Sequence, residues 1–179
     1  MRAICKSSDE GGFTYPHVGA SRELPFPAGY HHLAEQKVIG SGTAAFDAAV
    51  LHLFDWGMHR DSGLDVRAGA PKAVPGTEVE LGWGIGVARL RFRCRVVYVV
   101  DEPHRRGFAY GTLARHPESG EERFIVEQLS DGTVRAAVSA FSKPGRWFTR
   151  FGGPAGRAVQ NVMARRYLEA LVVSVRTAR

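Results

Sequence analysis

Through the middle of the chain apolar residues recur at every second position, and on either side of that region they recur at intervals of three and four. Val79, Leu81, Trp83, Ile85 and Val87 share one face of a predicted strand, opposite Glu78, Glu80 and three glycines. RLRFRCRVVYVV, 89–100, repeats the pattern. Leu90, Phe92, Cys94, Val96, Tyr98 and Val100 form an apolar face, with Arg89, Arg91, Arg93 and Arg95 behind them. RGFAYGTL, RFIVEQL and TVRAAVSAFS predict three more strands, and the short turns between them favour an antiparallel meander. HHLAEQKVIG, 31–40, reads as an earlier strand and LDVRAG as a short one, while GAPKAVPG is a loop.

Helical spacing appears twice. In TAAFDAAVLHLFDWGMH, Phe46, Val50 and Phe54 recur every four residues with Leu53 beside them. Thr43 is placed to cap this helix, and Gly57 or Ser62-Gly63 to end it. A longer helix is expected from Pro154. Its stripe runs Val159, Val162, Met163, Arg166 or Tyr167, Ala170 and Val173, widened by Leu171, Val172 and Val175. Residues 1–30 carry prolines at 16, 25 and 27 and predict an arm, tied to the domain by Phe13, Tyr15, Phe26 and Tyr30. Residues 31–179 then form a single α+β domain, in which a curved antiparallel sheet grips the C-terminal helix.

Composition narrows the functional classes. At 179 residues, with 44% hydrophobic and 23% charged residues, the chain suits one compact domain with a substantial core. Cys5 and Cys94 supply neither a disulfide framework nor a zinc site. No stretch approaches the roughly 20 apolar residues of a membrane span, and the first residues lack an apolar signal core, so a cytoplasmic location is expected. The formal charge of +6 raises nucleic acid as a partner. RNA readout would want aromatics exposed beside the arginines, whereas Phe92 points to the other face. Glu78 and Glu80 repeat at the same period and can lie across from the arginines, so a solvated, charge-paired sheet exterior is the preferred reading.

Candidate chemistry concentrates in YGTLARHPESGEERF, 110–124. Pro117 and Gly120 mark a reversal that would leave His116, Glu118, Glu121 and Glu122 on a hairpin connection. A metal centre needs three or four converging ligands, and no HExxH, CxxC or second spaced histidine accompanies His116. No metal is expected. The glutamates then cap backbone donors or pair with Arg115 and Arg123. Tyr110 and Thr112 share a strand face, Glu127 lies among apolar residues, and Ser139 sits in an apolar run. Facing a cavity, Tyr110 and Glu127 would bind a polar group or transfer a proton. The competing reading is a surface Glu127 opposite Arg135 and a core tyrosine. His52 and His59 fall on the flanks of the first helix, without a diagnostic nucleophile. GWGIG lacks the strand–turn–helix setting of a nucleotide loop, so no cofactor is implied.

The segments FTYPHVGASR, PAGY, FAYGTLARHPESGEERF and FSKP, with the C-terminal stretch around Tyr167, resemble the uncharacterised DUF1990 family, also called UPF0548. The likeness runs from about Phe13 to Leu171. Tyr110, Gly111, Thr112, His116, Pro117, Glu118, Gly120, Glu121 and Glu122 match its motif. Family members often have Pro-Gly where this chain has Ala114-Arg115. The family brings no established catalytic roles, but its similarity to the START/Bet v 1-like group implies a helix-grip fold and a ligand cavity. Three functions follow as expectations: binding an apolar or amphipathic small molecule, acid/base catalysis by Tyr110 and Glu127, or a filled core whose surface meets a protein partner.

Overall fold

The structure, a computed structural model, describes residues 12–84, 90–145 and 154–177, with side chains of the last segment from Arg157 onward. Ile85, Gly86, Val87, Arg89 and Cys5 lie outside these residues. Seven strands form one antiparallel sheet: β1 His31–Ser41, β2 Asp65–Ala68, β3 Glu78–Trp83, β4 Leu90–Glu102, β5 Arg105–Thr112, β6 Glu118–Gln128 and β7 Thr133–Pro144. Their order is β1-β7-β6-β5-β4-β3-β2. Strands β2 to β7 thus form the expected meander, and β1 closes against β7. Helices α1 Thr43–Phe54 and α2 Gly57–Asp61 follow β1, and α3 Pro154–Thr177 packs against β1, β7, α1 and α2. A curved sheet gripping a C-terminal helix is the helix-grip architecture.

The main core lies between sheet and helices. Phe108, Phe124, Val126, Val138 and Leu81 project from the sheet into one core with Leu53, Leu168 and Leu171 from the helices and Trp56 from between α1 and α2. The buried face of α3 is set by Ala164, Leu168, Leu171 and Val175 together with Tyr167 and Ala170, whereas Val159, Val162 and Val173 are exposed. The expected stripe holds at Tyr167, Ala170, Leu171, Val172 and Val175, whereas Ala164 and Leu168 take the core positions expected of Val159, Val162 and Val173. At the start of α1, Gly42 takes the capping position and Thr43 is the first helical residue. The helix ends at Phe54, and Trp56 adopts a left-handed φ of 63° before α2 begins. Gly57 follows because an added Cβ there would lie 2.4 Å from the His52 ring.

Alternation in β4 breaks at Val97. Val96 faces Tyr110 in β5 and Tyr98 faces Ala109, so Val97 is the additional residue of a β-bulge. Cys94 and Val96 join the main core, but Tyr98 does not; its hydroxyl meets Ser21 Oγ at 2.7 Å on the opposite face. The single apolar face expected for β4 is split between two sides of the sheet. The arginines behave as the solvated reading requires: Arg93 and Arg95 both bind Glu78, and Arg91 binds Glu80. Among the described residues no helix is long and apolar enough to cross a membrane.

Candidate functional site

Residues 12–30 lie against the outer face of the sheet. Tyr15, Phe26 and Phe141 form a second apolar cluster there, with Phe13, Ala20 and Tyr30 packed on it. Glu121 reaches out from β6 into this layer. Its carboxylate accepts from the Tyr15 hydroxyl at 2.6 Å, the Gly19 amide at 2.7 Å, the Ser21 amide at 3.0 Å and the Ser21 hydroxyl. Burial, then the neighbouring Glu121 charge, pushes the Tyr15 phenol far above its ordinary range. Gly111 is required beneath Tyr15, because a Cβ at 111 would fall 2.1 Å from the tyrosine oxygen.

The inner face differs. Between the sheet and the first half of α3 lies an open cavity of about 420 Å³, within the range of small-molecule sites. Leu33, Leu90, Phe92 and Met163 supply much of its apolar wall. Its polar lining includes Tyr110 and Thr112 from β5, Glu118 and Glu122 from β6, and Gln160 and Tyr167 from α3. The Tyr110 hydroxyl donates to Glu122 at 2.9 Å. Gln160 donates to Glu118 and, at 2.7 Å, to Ser142. Glu122 keeps partial accessibility because it borders the cavity, yet it sits deep among protein atoms. That burial raises its pKa from 4.5 to about 7; the Tyr110 hydrogen bond opposes the shift and the Glu118 charge reinforces it. The Glu118 pKa is raised as well, chiefly by burial.

Behind the cavity wall, His59 is enclosed by Trp56, Phe108, Tyr110, Phe124 and Tyr167, with ring centroids 5.1–6.2 Å apart. Neither imidazole nitrogen has a protein hydrogen-bond partner. Desolvation lowers its pKa to about 3, so the ring is neutral. His116 is also held neutral by burial, with a pKa of about 4, and its Nδ1 accepts from the Glu118 amide at 3.0 Å.

Several expected placements require correction. The connection between β5 and β6 is only 113–117, so Glu118, Glu121 and Glu122 belong to a strand and not to a turn. Gly120 is likewise mid-strand, where a Cβ would lie 2.0 Å from the Phe141 carbonyl oxygen. The reversal is made instead by Arg115 with φ 69°, a left-handed geometry that costs a non-glycine residue on the order of 1 kcal/mol. Tyr110 pairs with Glu122 across the strands, whereas Glu127 pairs with Arg105, an odd number of residues away. Tyr110 and Glu127 therefore point to opposite faces, and they are not an acid/base pair. Glu127 binds Arg135 instead. Ser139 is also on the outer face, where it accepts from Arg123 Nε at 3.1 Å. His59, expected on a flank of the first helix, lies instead in α2 and is fully buried, because its partners converge on it from three separated segments. Glu122 is expected on the connection but lies in β6 on the same face as Phe124 and Val126; the contiguous apolar run Phe124-Ile125-Val126 does not show from sequence which of the two faces is the inner one.

A family model described as a domain of unknown function, DUF1990, matches residues 14–170. A UPF0548 protein of Deinococcus radiodurans is 46% identical over 78 residues, which cover 44% of this chain and 39% of that protein. One from Dictyostelium discoideum is 32% identical over 136 residues, 69% of this chain and 62% of its own length. Each of these alignments therefore spans less than two thirds of the relative. Among solved structures, a hypothetical protein of Helicobacter pylori superposes with a TM-score of 0.62 at 14% identity, covering 80% of this chain and 86% of that one. Ara h 8.0201 gives 0.59 at 13% identity, covering 83% and 99%. At such identities the likeness establishes the fold.

Proposed function

The chain belongs to the DUF1990 family, and from its helix-grip fold and inner cavity together we propose that it binds an apolar or amphipathic small molecule. The observation that carries this reading is the 420 Å³ space, whose wall is mostly apolar and which includes the hydrogen-bonded pair Tyr110–Glu122. Such a division suits a ligand with an apolar body and one polar end, the body gaining from removal from water and the end from directed hydrogen bonds. A filled core serving only a protein partner would leave this volume without a purpose.

Ala140 lines the cavity from β7 and supplies a test. Wild-type protein is expected to bind the neutral dye Nile red with one-to-one stoichiometry. Ala140→Phe, which places a ring into the cavity, should weaken that binding at least tenfold while preserving the far-ultraviolet circular dichroism spectrum. Wild-type protein that takes up no dye, and carries no retained small molecule in native mass spectrometry, would defeat the proposal.

A further inference from the structure

The cavity's hydrogen-bonding inventory is lopsided. An ionised carboxylate offers about four acceptor positions. Among the described residues, Glu121 on the outer face has four protein donors, whereas Glu122 receives one, from Tyr110. Glu118, on the same cavity face of β6, receives Gln160. Among the described residues, the titratable groups around Glu122 are Glu118 on its own strand, Tyr110 on β5, Cys94 on β4 and Tyr167 on α3. None of them carries positive charge. His59 behind the tyrosines and His116 at the turn are both neutral.

The basic groups near the cavity do not fill this gap. Lys143 turns away, its Nζ lying 4.8 Å from the Tyr30 ring centroid in the outer layer. Arg157 and His31 are exposed at the rim, where solvent screens them. Among the described residues the interior thus combines two carboxyl groups, unused acceptor positions and tyrosine rings with no internal cation.

We propose that the cavity selects amphipathic amines, with the ligand's ammonium group donating to Glu122 and its apolar body lying against Phe92, Leu90 and Met163. This inference rests on the small-molecule reading above and adds the charge of the ligand. Ammonium supplies the donors that the Glu122 carboxylate lacks, and the charge of Glu118 favours the same cation. A fatty acid would bring a third carboxylate into this space and is disfavoured. The carboxylate form of Glu122 is the one that binds, so affinity rises as the group ionises.

Matched eight-carbon probes separate the possibilities: n-octylamine, 1-octanol and octanoic acid, titrated calorimetrically into the full chain at pH 6 and pH 8. At pH 8 the amine is expected to bind at least tenfold more tightly than the alcohol, with a smaller advantage at pH 6. Glu122→Gln should abolish most of that advantage, read as the ratio of amine to octanol affinity in the same variant. If this variant fails to fold, Glu118→Gln replaces it and should reduce the amine preference at least threefold. Octanol or octanoate binding as tightly as the amine overturns the charge selection alone. An amine preference that survives either folded variant also overturns it. Failure of all three probes to bind overturns both this inference and the cavity-ligand reading beneath it.

Discussion

Glu121 and Glu122 are adjacent in sequence and identical in chemistry, and they lie on opposite sides of one strand, the first buried and the second half-buried. Toward the outside, Glu121 is surrounded by donors that the arm presents at fixed positions. Toward the inside, Glu122 has one tyrosine hydroxyl, a nearby carboxyl group and open volume. A satisfied buried carboxylate is a structural fastener; an under-supplied one beside a cavity has capacity left for a ligand. Residue type alone did not separate the two roles. The supply of donors did.

The largest expected effect comes from dismantling the outer side. Glu121→Ala leaves the Tyr15 hydroxyl, two backbone amides and the Ser21 hydroxyl without their acceptor, and should cost about 3–5 kcal/mol in urea unfolding, the scale of a broken buried charged cluster. A loss below about 1 kcal/mol would mean that the arm does not depend on this carboxylate.

The inner side should show the opposite response to charge. The folded pKa of Glu122 is raised from 4.5 to about 7, so the folded state favours the protonated form. Its stabilising contribution is complete below the unfolded value and is lost as pH rises through 7, by up to about 3 kcal/mol. Glu122→Gln should therefore flatten the fall in urea midpoint between pH 5 and pH 8, making the variant more stable than wild type at the alkaline end. An unchanged pH profile would remove the contrast between the two glutamates.

The smallest effect belongs to the exposed charge ladder. Arg93→Ala loses one of two arginines on Glu78 and should change stability by about 0.2–1 kcal/mol, less at high salt. A larger effect would place the ladder among the determinants of the fold. Thermal unfolding at low and high ionic strength measures it.

The fold was legible because its signals are local: period-two strands joined by short turns, then a long helical stretch. Two local patterns misled. In β4 the apolar run continues through Tyr98, but a bulge at Val97 transfers that tyrosine to the other side, and no residue in RVVYVV announces the extra position. In the β5–β6 connection, proline and glycine suggested a broad turn, although Gly120 answers a cross-strand steric demand and Arg115 carries the reversal. The candidate site was only half legible. Tyr110 and Thr112 were placed together by alternation, but pairing Tyr110 with Glu122 instead of Glu127 depends on strand register, which the sequence leaves open until the turn length is known. His59 required tertiary convergence altogether.

The outer arm also has a consequence for how the protein is made. Its hydrogen bonds to β5 and β6 join residues 98 to 106 positions apart, from Thr14 to Thr112 and from Tyr15 to Glu121. During synthesis, at roughly 5–20 residues per second, the arm is produced about 5–20 s before its docking strands exist. Tyr15 and Phe26 must spend that interval without the surface that buries them, and Glu121 meets its donors only when this early segment returns. The fastener that is first to be translated is thus among the last to close, and a nascent chain remains unlatched until β6 has left the ribosome.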